Sequence, residues 1–149
     1  MRRIMSLVAL LGVISCSSDN EPVTVNTPGN LTQRATWQSS LVGVGNFAAV
    51  RGTTQAADYG PYFDMQISLT NATAGATYQW RIFPGTCAAP GATQYGPAQA
   101  YPNMVIAAGG TAAVTRTISG PLTLSASYNV RVSTVAAPVT IVACGNFTH

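Results

Sequence analysis

From Arg34 onward, apolar and polar residues alternate with a period of two, and Gly, Pro or Asn breaks the alternation at short intervals. The clearest stretch sets Phe63, Met65, Ile67 and Leu69 on one face and Asp64, Gln66 and Ser68 on the other. Such a segment is a half-buried strand, since successive side chains of extended chain point to opposite faces. The same pattern predicts strands over 35–42, 47–53, 77–83, 104–107, 111–118, 128–133 and 139–143. Turns are offered by Gly43-Val44-Gly45, Ala74-Gly75, Ala108-Gly109-Gly110 and Ser119-Gly120-Pro121. Regularly punctuated short strands predict an all-β fold, a Greek-key β-sandwich or flattened barrel of about eight strands over 34–149. Beyond the N-terminus no segment has the period of a helix, and there is no internal repeat.

The N-terminus breaks this pattern. Met1-Arg2-Arg3 precedes an apolar run over 4–14, interrupted by Ser6 and Gly12. A basic start followed by a short apolar run is the layout of an export signal, and the run falls short of the about 20 residues that a spanning helix needs. It ends in Val13, Ile14, Ser15 and Cys16, which resembles the bacterial lipobox: two aliphatic residues, a small one, then the cysteine that receives lipid before cleavage. The resemblance implies a signal peptide over 1–15 and a lipidated Cys16. Acyl chains there would hold the protein to a membrane with no chain crossing it. Ser17 follows Cys16 in place of the Asp often linked to inner-membrane retention, which points to the outer membrane or the periplasmic face. Residues 16–33 are Ser, Asp, Asn, Thr, Pro and Gly-rich, with too little apolar surface to fold alone, and read as a tether.

Composition narrows the partners. Only 7% of the 149 residues are charged and 47% are apolar, against about 25% charged in an ordinary domain, so Thr, Ser, Asn and Gln must solvate the surface. The formal charge of +3 comes from seven Arg and no Lys. Arg2 and Arg3 would leave with the signal, and no basic run remains, so no nucleic-acid footprint is visible. Of the three Cys, lipid on Cys16 would leave Cys87 and Cys144. In an oxidising compartment these either pair or stay as two buried thiols; a loop position for one and a late-strand position for the other favour the pair. A bridge of that span would restrict the unfolded chain by roughly 4 kcal/mol in the entropic picture.

Two stretches carry a further resemblance. Tyr78-Gln79-Trp80-Arg81-Ile82-Phe83-Pro84-Gly85-Thr86-Cys87, a long Gly/Pro loop, Tyr128-Asn129-Val130-Arg131-Val132 and a closing Ala143-Cys144-Gly145 are similar to the copper-zinc superoxide dismutase family and its lipoprotein relatives. There a strand bearing His-x-His runs to a Gly and a Cys, and that Cys pairs with the Cys of a terminal Ala-Cys-Gly. The likeness spans about residues 35–147. It implies an immunoglobulin-like or superoxide dismutase-like sandwich and a Cys87–Cys144 bridge. The metal ligands are missing. In one register the two His positions fall on Arg81 and Phe83, in the next on Trp80 and Ile82, and a later ligand position falls near Arg131 or Ser133. The loop over 88–101 has no His, Asp or Glu, and the single His of the chain is terminal His149. Copper and zinc favour imidazole sites, so neither metal nor any other cofactor is expected, nor dismutase activity.

Strand alternation indicates where that altered site lies. With Tyr78, Trp80 and Ile82 turned inward, Gln79, Arg81 and Phe83 face out; with Tyr128, Val130 and Val132 inward, Asn129, Arg131 and Ser133 face out. Arg81 and Arg131 together would suit a carboxylate, phosphate or sulfate. The commoner fate of such residues is to lie over Phe83 or to pair with Asp58 or Asp64. Tyr59, Tyr62, Tyr95 and Tyr101 could form a sugar- or protein-contact surface, though loop tyrosines more often fold down on their own sheet. Asp58 and Asp64 flank Gly60-Pro61 without a third group to tune them as acid and base, and serine chemistry lacks a base. No catalytic residue is assigned. The expected function is that of a lipid-anchored envelope lipoprotein, a non-catalytic binding or structural module whose partner is an envelope protein, a glycan or a small anion. The alternatives are an enzyme with a site the sequence does not display and a metal-binding dismutase-like protein.

Overall fold

In the computed structural model, residues 31–136 and 139–149 are described. The segment expected to be a signal peptide, Cys16 and most of the expected tether lie outside the described residues. Eight antiparallel strands form one sheet: β1 (Ala35–Gly43), β2 (Arg51–Asp58), β3 (Tyr62–Thr70), β4 (Thr77–Pro84), β5 (Met104–Val105), β6 (Ala112–Ser119), β7 (Tyr128–Thr134) and β8 (Ile141–Phe147). Their order is β5-β4-β7-β8-β1-β2-β3-β6. The end strands β5 and β6 are joined by the Ala107–Thr111 turn, in which the Ala107 N–H donates to the Thr111 carbonyl at 2.9 Å. The sheet therefore curls into a nearly closed, flattened barrel, with β3, β6, β5 and β4 in Greek-key order.

The predicted alternation builds this core. Phe63, Met65, Ile67 and Leu69 of β3 meet Tyr78, Trp80 and Ile82 of β4, Val130 and Val132 of β7, and Trp37 and Leu41 of β1, all buried. The ring of Tyr101, from the β4–β5 loop, closes one side by standing edge-on to Trp80 with centroids 4.9 Å apart.

Three strands differ from expectation by two residues or more, and the one expected over 104–107 ends at Val105. The segment expected as a strand from residue 47 begins instead with a 3₁₀ turn at Gly45–Phe47, and β2 starts at Arg51. The second half of β2 points Thr54, Ala56 and Asp58 inward, residues too small or polar to register as an apolar stripe. Asp58 is fully buried there because Arg34 reaches its carboxylate at 2.8 Å and the Gly60 N–H donates to its other oxygen at 2.7 Å. The last strand runs two residues later and four further than expected, through Gly145 and Asn146. Gly145 belongs in the strand because β1 passes against it: a Cβ would stand 2.0 Å from Ser39 Oγ and 2.4 Å from the Ser40 carbonyl.

Candidate functional site

Arg81 and Arg131 are directly opposite each other across β4 and β7. Both alternate with buried neighbours, so their side chains share the outer face of the barrel. The same cross-strand row continues through Cys144 of β8 and Val42 of β1 to Arg51 of β2. Beside Arg131 in this row, Cys144 is joined to Cys87, 57 residues earlier in the chain. The bridge staples the start of the β4–β5 loop to the outer face. The Asn146 side-chain carbonyl accepts from the Cys87 N–H at 2.8 Å and holds the same corner.

The two guanidinium groups are held very differently. Arg81 is clamped: its Nε donates to Gln94 Oε1 at 3.1 Å, and its Nη1 donates to the carbonyls of Trp80 at 2.7 Å and Tyr101 at 3.2 Å. It lies 5.5 Å from the centre of the Tyr101 ring, in cation–π range. Burial pushes its pKa down from the ordinary value, and the neighbouring Tyr101 side chain opposes that shift. Arginine starts so high that the group keeps its charge at neutral pH. Tyr101 responds in the reverse sense: burial first, then Tyr95, raises its pKa, while Arg81 and a backbone hydrogen bond at Ile82 lower it.

Arg131 is the less committed of the pair. Its guanidinium stands 5.4 Å from the centre of the Phe83 ring and donates once, from Nη2 to the Cys87 carbonyl at 3.5 Å. Its Nε is buried and has no hydrogen-bond partner among the described residues. Gln79, Phe83, Gln94, Ser133, Val139 and Ile141 complete, around the two arginines, a hollow of about 360 Å³. It combines cationic and amide donors with an apolar wall, and no acid lines it.

Some expectations meet corrections here. Neither Asp58 nor Asp64 pairs with Arg81 or Arg131: Asp58 is taken by Arg34 inside the barrel, and Asp64 on the outside accepts from the Thr117 hydroxyl. Asn129 and Ser133, expected to face solvent, are buried. Asn129 lies beneath the stapled loop, its Nδ2 donating to the carbonyls of Phe83, Pro84 and Gly85. Tyr95 and Tyr101 fold down as structural residues, Tyr95 donating to the Pro121 carbonyl at 2.8 Å and Tyr101 to that of Tyr95. Tyr59 and Tyr62 pack against each other as a tilted ring pair with centroids 5.3 Å apart. Sequence reasoning missed the clamps on Arg81 from Gln94 and from Gln79, whose Oε1 accepts from Arg81 Nη2 at 3.4 Å, and the placement of Arg51, because strand alternation gives a face but not the neighbouring strand.

No protein-family model matches the chain, and no curated protein matches it. The donor set where the dismutase resemblance would seat copper does not fit a metal: arginine has no lone pair to offer, and Phe83 has no ligand atom. Among the described residues, no three His, Cys, Asp or Glu side chains gather.

Proposed function

We propose that the protein is an exported lipoprotein of a bacterial envelope, tethered to a membrane through Cys16, whose barrel is a non-catalytic binding module descended from a dismutase-like scaffold. The strand order and the Cys87–Cys144 bridge support the scaffold. The observation that carries the binding role is the Arg81–Arg131 pair at directly opposed positions on the rim of an acid-free hollow. Its ligand is a small organic anion. Arg131, whose guanidinium makes a single long hydrogen bond, engages the carboxylate, phosphate or sulfate group through its terminal N–H groups, Arg81 adds charge from a fixed position, and Val139 and Ile141 contact an apolar body.

Each part has its own test. Titrating ¹⁵N-labelled protein with phosphate and with benzoate is expected to shift the amides of Gln79, Arg131 and Ser133, and Arg131→Gln is expected to abolish the shifts without altering the melting temperature. Unchanged amides, or an Arg131→Gln protein that still responds, would overturn the anion site. Stoichiometric copper or zinc in the purified protein, read by elemental analysis, would overturn the metal-free reading. Cys16→Ser should move the protein from the membrane fraction to the soluble one; retention in the membrane would remove the anchor.

A further inference from the structure

A second surface, away from the arginine hollow, has chemistry of its own. On the outside of β1, β2 and β3, register pairing aligns Gln38 with Gln55 and Gln55 with Gln66 in one cross-strand row. The next row toward Arg51 aligns Ser40 with Thr53 and Thr53 with Ser68. Neighbouring strands stand about 4.8 Å apart and alternate residues of one strand about 6.6 Å apart, so the six side chains form a two-row grid of amides over hydroxyls. The grid lines a hollow of about 470 Å³.

Three properties define what can occupy it. No formal charge lines the hollow. No aromatic or large aliphatic side chain lines it either, so a protein partner would find none of the apolar anchors that carry interface energy, and single-stranded nucleic acid none of the stacking rings or basic groups it requires. The amides are also uncommitted: the Thr53 and Ser68 hydroxyls bond each other at 2.9 Å, but Gln38, Gln55 and Gln66 make no side-chain hydrogen bond among the described residues. Each carboxamide offers two donors and an acceptor oxygen, and each hydroxyl is donor and acceptor at once. Paired donors and acceptors repeated along a neutral surface match the adjacent hydroxyls of a sugar chain.

We propose that this face of β1–β3 binds a neutral glycan chain, independently of the anion hollow. The test uses full-length ¹⁵N-labelled protein, kept in a detergent without a sugar headgroup and titrated with cellohexaose, maltohexaose and chitohexaose. At least one hexasaccharide is expected to shift the amides of residues 38, 55 and 66. Gln55→Ala combined with Gln66→Ala should weaken that binding about tenfold or more, with the melting temperature unchanged because both side chains are exposed. Arg131→Gln should leave it intact, which separates this site from the anion site. No response to any of the three sugars, shifts confined to the Arg131 hollow, or unaltered binding by the double variant would each overturn the proposal.

Discussion

At the residue scale the two arginines of one cross-strand pair divide their work. Arg81 spends its donors on Gln94, Trp80 and Tyr101, which ties β4 to the returning end of the β4–β5 loop. Arg81→Ala removes charged donors from part-buried carbonyls and is expected to cost about 1–3 kcal/mol in a urea titration. Arg131 makes a single long hydrogen bond, so Arg131→Gln should stay within about 0.5 kcal/mol of the parent. The contrast between the two variants is the check: equal losses would mean that Arg131 is structural as well. Both positions were legible as outward-facing Arg in the alternation of their strands. Their unequal commitment was not, because Gln94 and Tyr101 come from a loop whose path only the folded chain defines.

At the element scale, two contacts hold the strands that carry the site. The Cys87–Cys144 bridge pins the loop to β8, and replacing both cysteines by Ala is expected to lower stability by about 2–5 kcal/mol, read as a lower urea midpoint. Where β8 meets β1, Gly145 leaves no room for a Cβ against Ser39 and Ser40. Gly145→Ala must push the backbone of β1 aside, and should cost at least the about 1–3 kcal/mol of ordinary overpacking, measured by thermal unfolding. The strand ends show why sequence reasoning slipped by a few residues at β2 and β8. Gly145-Asn146 reads locally as a turn, and Thr54, Ala56 and Asp58 read as a polar segment; each is explained by a partner distant in sequence, Ser39 in one case and Arg34 in the other.

At the scale of the whole molecule, the barrel buries tyrosines whose neutral form it requires. The pKa of Tyr101 and, to a lesser degree of burial, that of Tyr95 are both raised, in each case chiefly by desolvation. An unfolded tyrosine ionises near pH 10. Above that pH the unfolded chain releases protons that the native state retains, so the unfolded state binds fewer protons and stability falls as pH rises. The urea midpoint should therefore be level through neutral pH and drop progressively above about pH 10. Tyr101→Phe should flatten part of that drop, whereas an unchanged slope in this variant would place its cause elsewhere.

The sequence alone determined the all-β class, the inward stripes of β3, β4 and β7 and the outward direction of Arg81 and Arg131, because alternation in a strand is a local property set by backbone geometry. It also held the reason to expect no imidazole metal site, which is a matter of which side chains exist. Which strands lie side by side was decided by tertiary structure. Strand order and register turned Arg81 and Arg131 into a pair, set the disulfide next to them in the row, and aligned three separate glutamines into one ladder. Those juxtapositions depend on how a curled sheet closes around its core, a sum over contacts between residues far apart in the chain, and no local pattern encodes them.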